Sequence, residues 1–447
     1  MENFPLTSED QHQMLAEIGV QHFGEMLKCI PEKLRNPKIN LPEALSELDA
    51  QKWFCELAGQ NITLKQNLSF LGSGCYEHFI PSIVRHVVSR SEFYTAYTPY
   101  QPEASQGSLQ MLFEYQSLMC ELTGLEVSNG SHYDGATALA ESLMMALNHT
   151  RRNNILIASS VHPEYRLVAR TYLQGTHGVL EEVSFSPDFA FDLNDFKKKL
   201  SPEIAAVVIQ SPNFFGLVED LTEIEKLVHA NGSLLIMMGH PLSFGFFKSP
   251  GEWHADIACG EGQPLGIVPG FGGPWLGYLV TTKALMRRIP GRLVGMTKDH
   301  EGRRAFCLTL QAREQHIRRE KAPSNICSNQ ALCAMMACVY LATLGESGVK
   351  QIAELNLENA NYLRDSLGAV PGIEVLTKGT IFNEFVVKFS KPIQKINGEL
   401  RKRGMIGGLD LERFYPTLKN QTVFCATETK SKAEMDRFVS ELKRISQ

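Results

Sequence analysis

Between residues 254 and 277 the chain reads HADIACGEGQPLGIVPGFGGPWLG, a stretch that confines the fold more tightly than any other. A short apolar run (Ala255, Ile257, Ala258, Cys259) stops at a segment that with its flanks holds seven glycines and three prolines, and a second apolar run, 275–280, comes at once after it. The pattern predicts strand, glycine-rich loop, strand. Glycine takes φ > 0 without steric cost and lets the backbone approach another group closely, so such a loop at a strand end suits cradling a ligand. From 254 to 282 there is no lysine, and hence no side-chain primary amine.

Around this stretch the pattern alternates. Apolar runs at 155–158, 205–209, 234–238, 257–259 and 276–280 are separated by helix-like segments at 163–173, 193–200 and 221–230. Continuous apolar strands divided by helices predict a largely parallel sheet covered on both faces. A helix from Ser105 through Leu112, Tyr115, Met119 and Leu122 should stop at Gly124. Beyond about 335 the chain reads as a smaller α/β lobe: helix 349–367, strands 373–376 and 384–389, helix 391–403, strand 422–426 and a charged helix 432–445. At the other end, Ser8 with Gln11 fits a capping box, and Met14, Leu15, Ile18 and Phe23 recur at near-helical spacing. Pro31, Pro37 and Pro42 break the next stretch into short pieces, an arm without a core of its own.

Four stretches are candidates for chemistry. Tyr94, Tyr97, Thr98, Tyr100 and Gln101 lie in FYTAYTPYQPE, where Pro99 and Pro102 forbid a regular helix. The loop either lines a site for a small polar ligand or packs its rings with the hydroxyls at the surface. Ser131, His132, Gly135 and Thr137 open a helix whose free N–H groups could hold an anion, unless Asp134 or Ser131 caps it and competes for those groups. His162 and His240 sit just beyond strands as lone histidines without partners at metal-ligand spacing, so no metal is predicted. From 283 to 321 eleven Lys/Arg face four Asp/Glu, an excess that either docks an acidic partner or forms solvated helix faces and intersubunit salt bridges. Near its end Ser324 or Asn325 should cap a long apolar helix starting near Ser328.

The 254–277 stretch resembles the cofactor-lysine segment of pyridoxal-phosphate enzymes of the aspartate-aminotransferase fold, fold type I. Asp256 matches the early Asp of that segment and Gly272-Gly273-Pro274 its loop, but Gln263-Pro264 stands where a His-Lys pair is expected. Pro264 cannot form the Schiff base. The run 234–238 ends at Met238, where active relatives carry the Asp that keeps the pyridine nitrogen protonated. YTPYQPE and RREKAPSNIC further resemble the alpha-subunit family of the glycine cleavage system P-protein, glycine dehydrogenase (decarboxylating), over nearly the whole chain.

The resemblance implies an α/β fold with an N-terminal helical arm (1–70), a large PLP-transferase-like domain with a mostly parallel seven-strand-type sheet (71–335) and a small C-terminal α/β domain (336–447). It also implies no catalytic residue in this chain, with the phosphate cup a vestige. Pyridoxal phosphate would be carried by a homologous beta subunit, in an assembly expected to be α2β2. Glycine would be the substrate and the lipoyl carrier H-protein a further partner, with the tyrosine loop near their path. A purely structural subunit that docks the carrier, or an autonomous enzyme using another lysine such as Lys283, are the alternatives.

Composition agrees with this frame. At 447 residues the chain exceeds the roughly 250–300 beyond which single cores tend to split. A net charge of −5 argues against nucleic-acid binding. The ten scattered cysteines contain no C-x-x-C pair, which points to reduced thiols. Met1-Glu2-Asn3-Phe4 starts neither a basic n-region nor an apolar h-region, so no signal peptide and a cytoplasmic location are expected, and the apolar runs are too short for a membrane span.

Overall fold

The computed structural model describes residues 6–35 and 37–446, so the Met1–Phe4 reading lies outside the described residues. The chain divides into two compact units, Met1–Thr63 and Leu64–Gln447.

The first unit carries α1 (Ser8–Ile18), α2 (Phe23–Met26) and α3 (Glu47–Gly59). The cap of α1 lies one residue earlier than the sequence pattern indicated: Thr7 Oγ1 accepts from Asp10 N, and the Asp10 carboxylate accepts from Thr7 N at 2.8 Å. The short Asp side chain closes this reciprocal pair, which Ser8 and Gln11 do not make. None of the residues in these three helices is buried, and Met14, Ile18, Phe23, Trp53 and Phe54 are all exposed.

The second unit proceeds through β1 (Leu68–Ser69), α4 (Ser82–Val88), α5 (Ser91–Tyr94), α6 (Gln106–Thr123), β2 (Val127–Ser128), α7 (Gly135–Thr150) and β3 (Asn154–Ala158). Next come α8 (Pro163–Leu173), β4 (Val179–Val183), α9 (Leu193–Lys199), β5 (Ile204–Gln210), α10 (Thr222–Ala230), β6 (Leu234–Met238), β7 (Ile257–Glu261) and β8 (Gly277–Thr281). A hairpin of β9 (Leu293–Lys298) and β10 (Arg304–Thr309) leads through α11 (Gln315–Arg318) to the long α12 (Ala331–Gly368). The chain ends with β11 (Ile373–Val375), β12 (Glu384–Phe389), α13 (Ile393–Arg401), β13 (Met405–Ile406), β14 (Leu409–Asp410), β15 (Gln421–Cys425) and α14 (Lys432–Ser446).

Seven strands form the main sheet in the order β2-β8-β7-β6-β5-β3-β4. The pairings from β4 through β7 are parallel, while β8 runs antiparallel to both β7 and β2. Its central strands are buried throughout: every residue of β6, and all but the last of β5. Ala138, Leu143, Ala169, Ile224 and Val228 from α7, α8 and α10 join them in one core. The edge strand β4 (VLEEV) is not a continuous apolar run, because Glu181 and Glu182 interrupt its buried Leu180 and Val183. A second, antiparallel sheet in the order β11-β12-β15-β14 packs its apolar face with α13, α14 and the distal half of α12.

α6 stops where the sequence indicated, with Gly124 left-handed at φ 70°. α12 does not begin at a Ser324 or Asn325 cap. It starts at Ala331, and the N–H of Gln330 donates instead to Ser131 Oγ at 3.1 Å, while Ser324 Oγ donates to Glu141. By length and composition alone α12 is long and apolar enough to cross a membrane, as the core helix of a folded domain can also be. It buries fourteen residues and changes direction at Gly345 (φ 60°), linking the cores of the two sheets.

Truncation at the centre of the main sheet tests this assignment of the core. Ile236→Ala should destabilise the protein by about 2–5 kcal/mol, read as a lowered urea midpoint at unchanged slope.

Candidate functional site

The C-terminal ends of β3, β5, β6 and β7 lie side by side, the place where open parallel sheets receive ligands. The cavity there is lined by His162, Gln210, Met238, His240, Glu261 and Glu384, among others, and measures about 40 Å³. That is room for a few waters, whereas sites for drug-sized ligands and cofactors run to roughly 300–1,000 Å³.

Glu261, the last residue of β7, explains much of the closure. Its Oε1 accepts from the N–H groups of Gln263 and Leu276, both at 2.9 Å, and its Oε2 accepts from Gly135 N, at the start of α7, at 3.0 Å. Asp134 takes the N–H two residues on, Thr137 N, at 2.7 Å, and Thr137 Oγ1 closes the reciprocal bond from Asp134 N. Two carboxylates thus use the N–H groups that an incoming phosphate would need. Burial pushes the Glu261 carboxyl up to about 7, against three backbone donors that draw it down.

The other two residues of the predicted cup turn elsewhere. Ser131 is fully buried and serves Gln330. His132 is likewise buried, with Nε2 2.9 Å from Asn129 Nδ2, and desolvation holds its imidazole down at about 3.

At the expected lysine position Pro264 is buried, and its neighbour Gln263 clamps Tyr76, accepting from Tyr76 N and donating to Tyr76 O, each at 2.9 Å. Met238 lines the cavity where a ring carboxylate would be needed. Asp256, the matched early Asp, takes a structural part, accepting from Leu235 N and lying 3.1 Å from His229 Nε2. The residues present therefore do not fit pyridoxal phosphate: they supply no amine at the expected position, no ring carboxylate there, an anion cup with two of its N–H groups already taken, and too little volume.

Polar groups nonetheless gather round the cavity. His162 Nε2 donates to Ser73 O at 3.0 Å and leaves Nδ1 without a partner. His240 faces His78 across 3.4 Å between their Nε2 atoms, and Glu428 lies 2.8 Å from His78 Nδ1. Burial lowers the pKa of both His162 and His240. Glu384 accepts from Ser73 N at 2.5 Å and from Tyr76 Oη at 2.8 Å, and burial raises it to about 7. Sequence reading picked out the two histidines but neither Glu261, Glu384 nor Tyr76. The one available signal for Glu261 was a carboxylate directly after the buried run of β7.

The tyrosine loop is divided. Tyr94 lies in the single turn of α5 rather than in extended chain, and with Tyr97 and Thr98 it lines a separate cavity of about 140 Å³ against Met111 and Met335. Tyr100 lies outside that cavity, its ring 5.8 Å from the Arg292 guanidinium. Gln101 is exposed, as are Tyr94, Tyr97 and Tyr100, with Tyr97 at 83%. Phe271, in the glycine-rich loop, is 98% exposed. Among the described residues no cluster of three or more His, Cys, Asp or Glu could hold a metal ion.

The comparisons with known proteins agree with one another. The family model of the glycine cleavage system P-protein matches residues 1–442. Proteins named probable glycine dehydrogenase (decarboxylating) subunit 1 from Desulfitobacterium hafniense and Desulforamulus reducens are 49% and 48% identical, each with complete coverage of both chains. A crystal structure of a glycine decarboxylase (P-protein) of the glycine cleavage system, in inhibitor-bound form, superposes at TM-score 0.91 with 42% identity over all of both chains. A glutamate decarboxylase from Lactobacillus brevis, at 12% identity and TM-score 0.69 over 92% of this chain and 94% of its own, shares the fold.

The ionisation of Glu384 can be tested directly. Its pKa is raised from 4.5 to about 7, so the stability this carboxyl allows is present below about pH 4.5 and lost as pH rises toward 7. Glu384→Gln keeps both hydrogen bonds, the amide accepting from Ser73 N–H and donating to Tyr76 Oη. Its advantage over the unsubstituted protein should grow from about pH 5 to about pH 8, approaching 3 kcal/mol by urea unfolding, and a pH-independent difference would mean an ionised Glu384.

Proposed function

Because this chain belongs to the glycine cleavage system P-protein family, we propose that it is the alpha subunit of a two-chain P-protein, subunit 1 of glycine dehydrogenase (decarboxylating), acting only beside a homologous lysine-bearing beta subunit. Together the two chains decarboxylate glycine and pass the aminomethyl group to the lipoyl group of the H-protein. Pyridoxal phosphate, which supplies the electron sink for decarboxylation, is assigned to the beta subunit, and the assembly to α2β2.

One observation carries the reading: the cofactor position of this chain is filled by its own side chains. Pro264 has no amine, Met238 no charge, and Glu261 and Asp134 engage the N–H groups of the anion cup. What this chain contributes lies on its surface. Exposed Tyr94, Tyr97 and Tyr100 present hydroxyls that can bind and orient a polar ligand in a neighbouring subunit's site, and Phe271 can help exclude water from it. The apolar residues of α1–α3 are suited to an arm that a second chain covers, since large contiguous apolar surface mostly marks an interaction site.

The purified chain, mixed with pyridoxal phosphate and reduced with borohydride, should retain no cofactor. Co-expressed with the beta subunit, the partner alone should carry the label. Glycine-dependent CO2 release by this chain in isolation would overturn the assignment.

Within the complex, Tyr97→Phe with Tyr100→Phe should lower turnover about tenfold, the worth of roughly one hydrogen bond to a polar or charged ligand, with subunit assembly intact on gel filtration. Unchanged turnover would leave the chain a structural role only.

A further inference from the structure

Away from the sheet ends, a cleft of about 410 Å³ draws cations from separate stretches of chain. Arg151 comes from the C-cap of α7, Arg287 and Arg288 lie just past the turn Lys283–Leu285, and Arg313, Arg318 and Lys321 come from the segment before α12. Among the described residues none of the six forms an ion pair. The carboxyl at the cleft, Glu141, is buried and held by Ser324 Oγ at 2.7 Å.

Arg313 is the informative member. It is 8% exposed, its terminal nitrogens donate to the carbonyls of Ile289 and Gly291, and its Nε has no partner. A guanidinium so deeply buried, with only carbonyls in hydrogen-bond reach, has no contacting carboxylate to offset its desolvation, and only the nearby charge of Glu314 acts on it. Glu314 acts on Arg313 through its charge without an ion-pair contact, and also lies 3.8 Å from His316. Arg313 is thus aligned by backbone carbonyls, with no carboxylate in ion-pair contact.

We propose that this cleft binds a small molecule bearing a diphosphate group, whose oxygens the converging guanidinium groups chelate. The reasons are charge and shape. A single carboxylate would balance one of the six cations, whereas a diphosphate brings several negative charges within the span of one cleft, and guanidinium forks match phosphate oxygens in pairs. The volume falls in the range of small-ligand sites, roughly 300–1,000 Å³, and its walls are concave. An acidic polypeptide would be better served by charges spread along a surface than by charges gathered round a buried arginine.

Isothermal titration of the full-length chain with inorganic pyrophosphate, at low ionic strength, tests the site. Saturable one-to-one binding is expected, weakening as salt is added. Arg287→Gln with Arg288→Gln, and separately Arg318→Gln, should each weaken it at least about tenfold while thermal melting stays unchanged. Arg313 is left intact in both variants because its removal would disturb the fold. Absence of saturable binding, affinity that ignores all three substitutions, or tighter binding of a glutamate decapeptide than of pyrophosphate would each overturn the proposal. ADP binding more tightly than pyrophosphate would support a nucleotide as the source of the group, and equal affinity would support the diphosphate alone.

Discussion

The carboxylate of Glu261 joins three parts of the molecule that are far apart in the chain. Through three backbone N–H groups it ties the end of β7 to the loop after it, to the approach to β8 and to the first turn of α7. Hydrogen bonds to a charged group contribute roughly 1.5–3 kcal/mol each, enough together to offset much of the cost of enclosing a carboxylate. A helix start at the carboxyl edge of a parallel sheet is suited to an external phosphate. In this chain the Glu261 carboxyl accepts from the first N–H group there.

The same substitution of internal for external partners recurs nearby. Gln263 holds the Tyr76 backbone with both ends of its amide, and Tyr76 in turn donates to Glu384, which also accepts from Ser73. These contacts draw the segment before α4 and the start of β12 over the sheet ends, leaving space for little more than water. Some of the polar groups round the cavity are spent on one another, while His162 Nδ1, His240 Nδ1 and Asn383 Nδ2 are buried without a partner. Other incompletely satisfied features lie elsewhere: apolar side chains of α1–α3, exposed tyrosines around 94–100, and cations without ion-pair partners around Arg313.

Much of the scaffold could be read from one dimension. Continuous apolar runs located β3, β5, β6, β7 and β8, because strands buried on both faces have nowhere to place polar side chains. Gly124 ended α6 because a left-handed residue there has no Cβ penalty. The failures arise because local signals are degenerate. β4 borders the sheet and carries two acidic residues, and the β9–β10 hairpin is only partly buried, so neither forms a continuous apolar run. Ser324 looked like a helix cap but serves Glu141, and Ser131 looked like a phosphate ligand but serves Gln330; both partners lie more than 180 residues away.

By itself the sequence determined that no covalent anchor for an aldehyde cofactor exists between 254 and 282, because the lack of an amine is a matter of composition that no folding can repair. It also determined the alternation that makes a parallel sheet. Only the tertiary structure decided that Glu261 reaches the start of α7 across 126 residues, that the cavity shrinks to a few waters, and that six cations from separate stretches face one cleft. Charge and hydrogen-bond complementarity depend on distances through space, and those are set by how the sheet, its helices and its loops pack together.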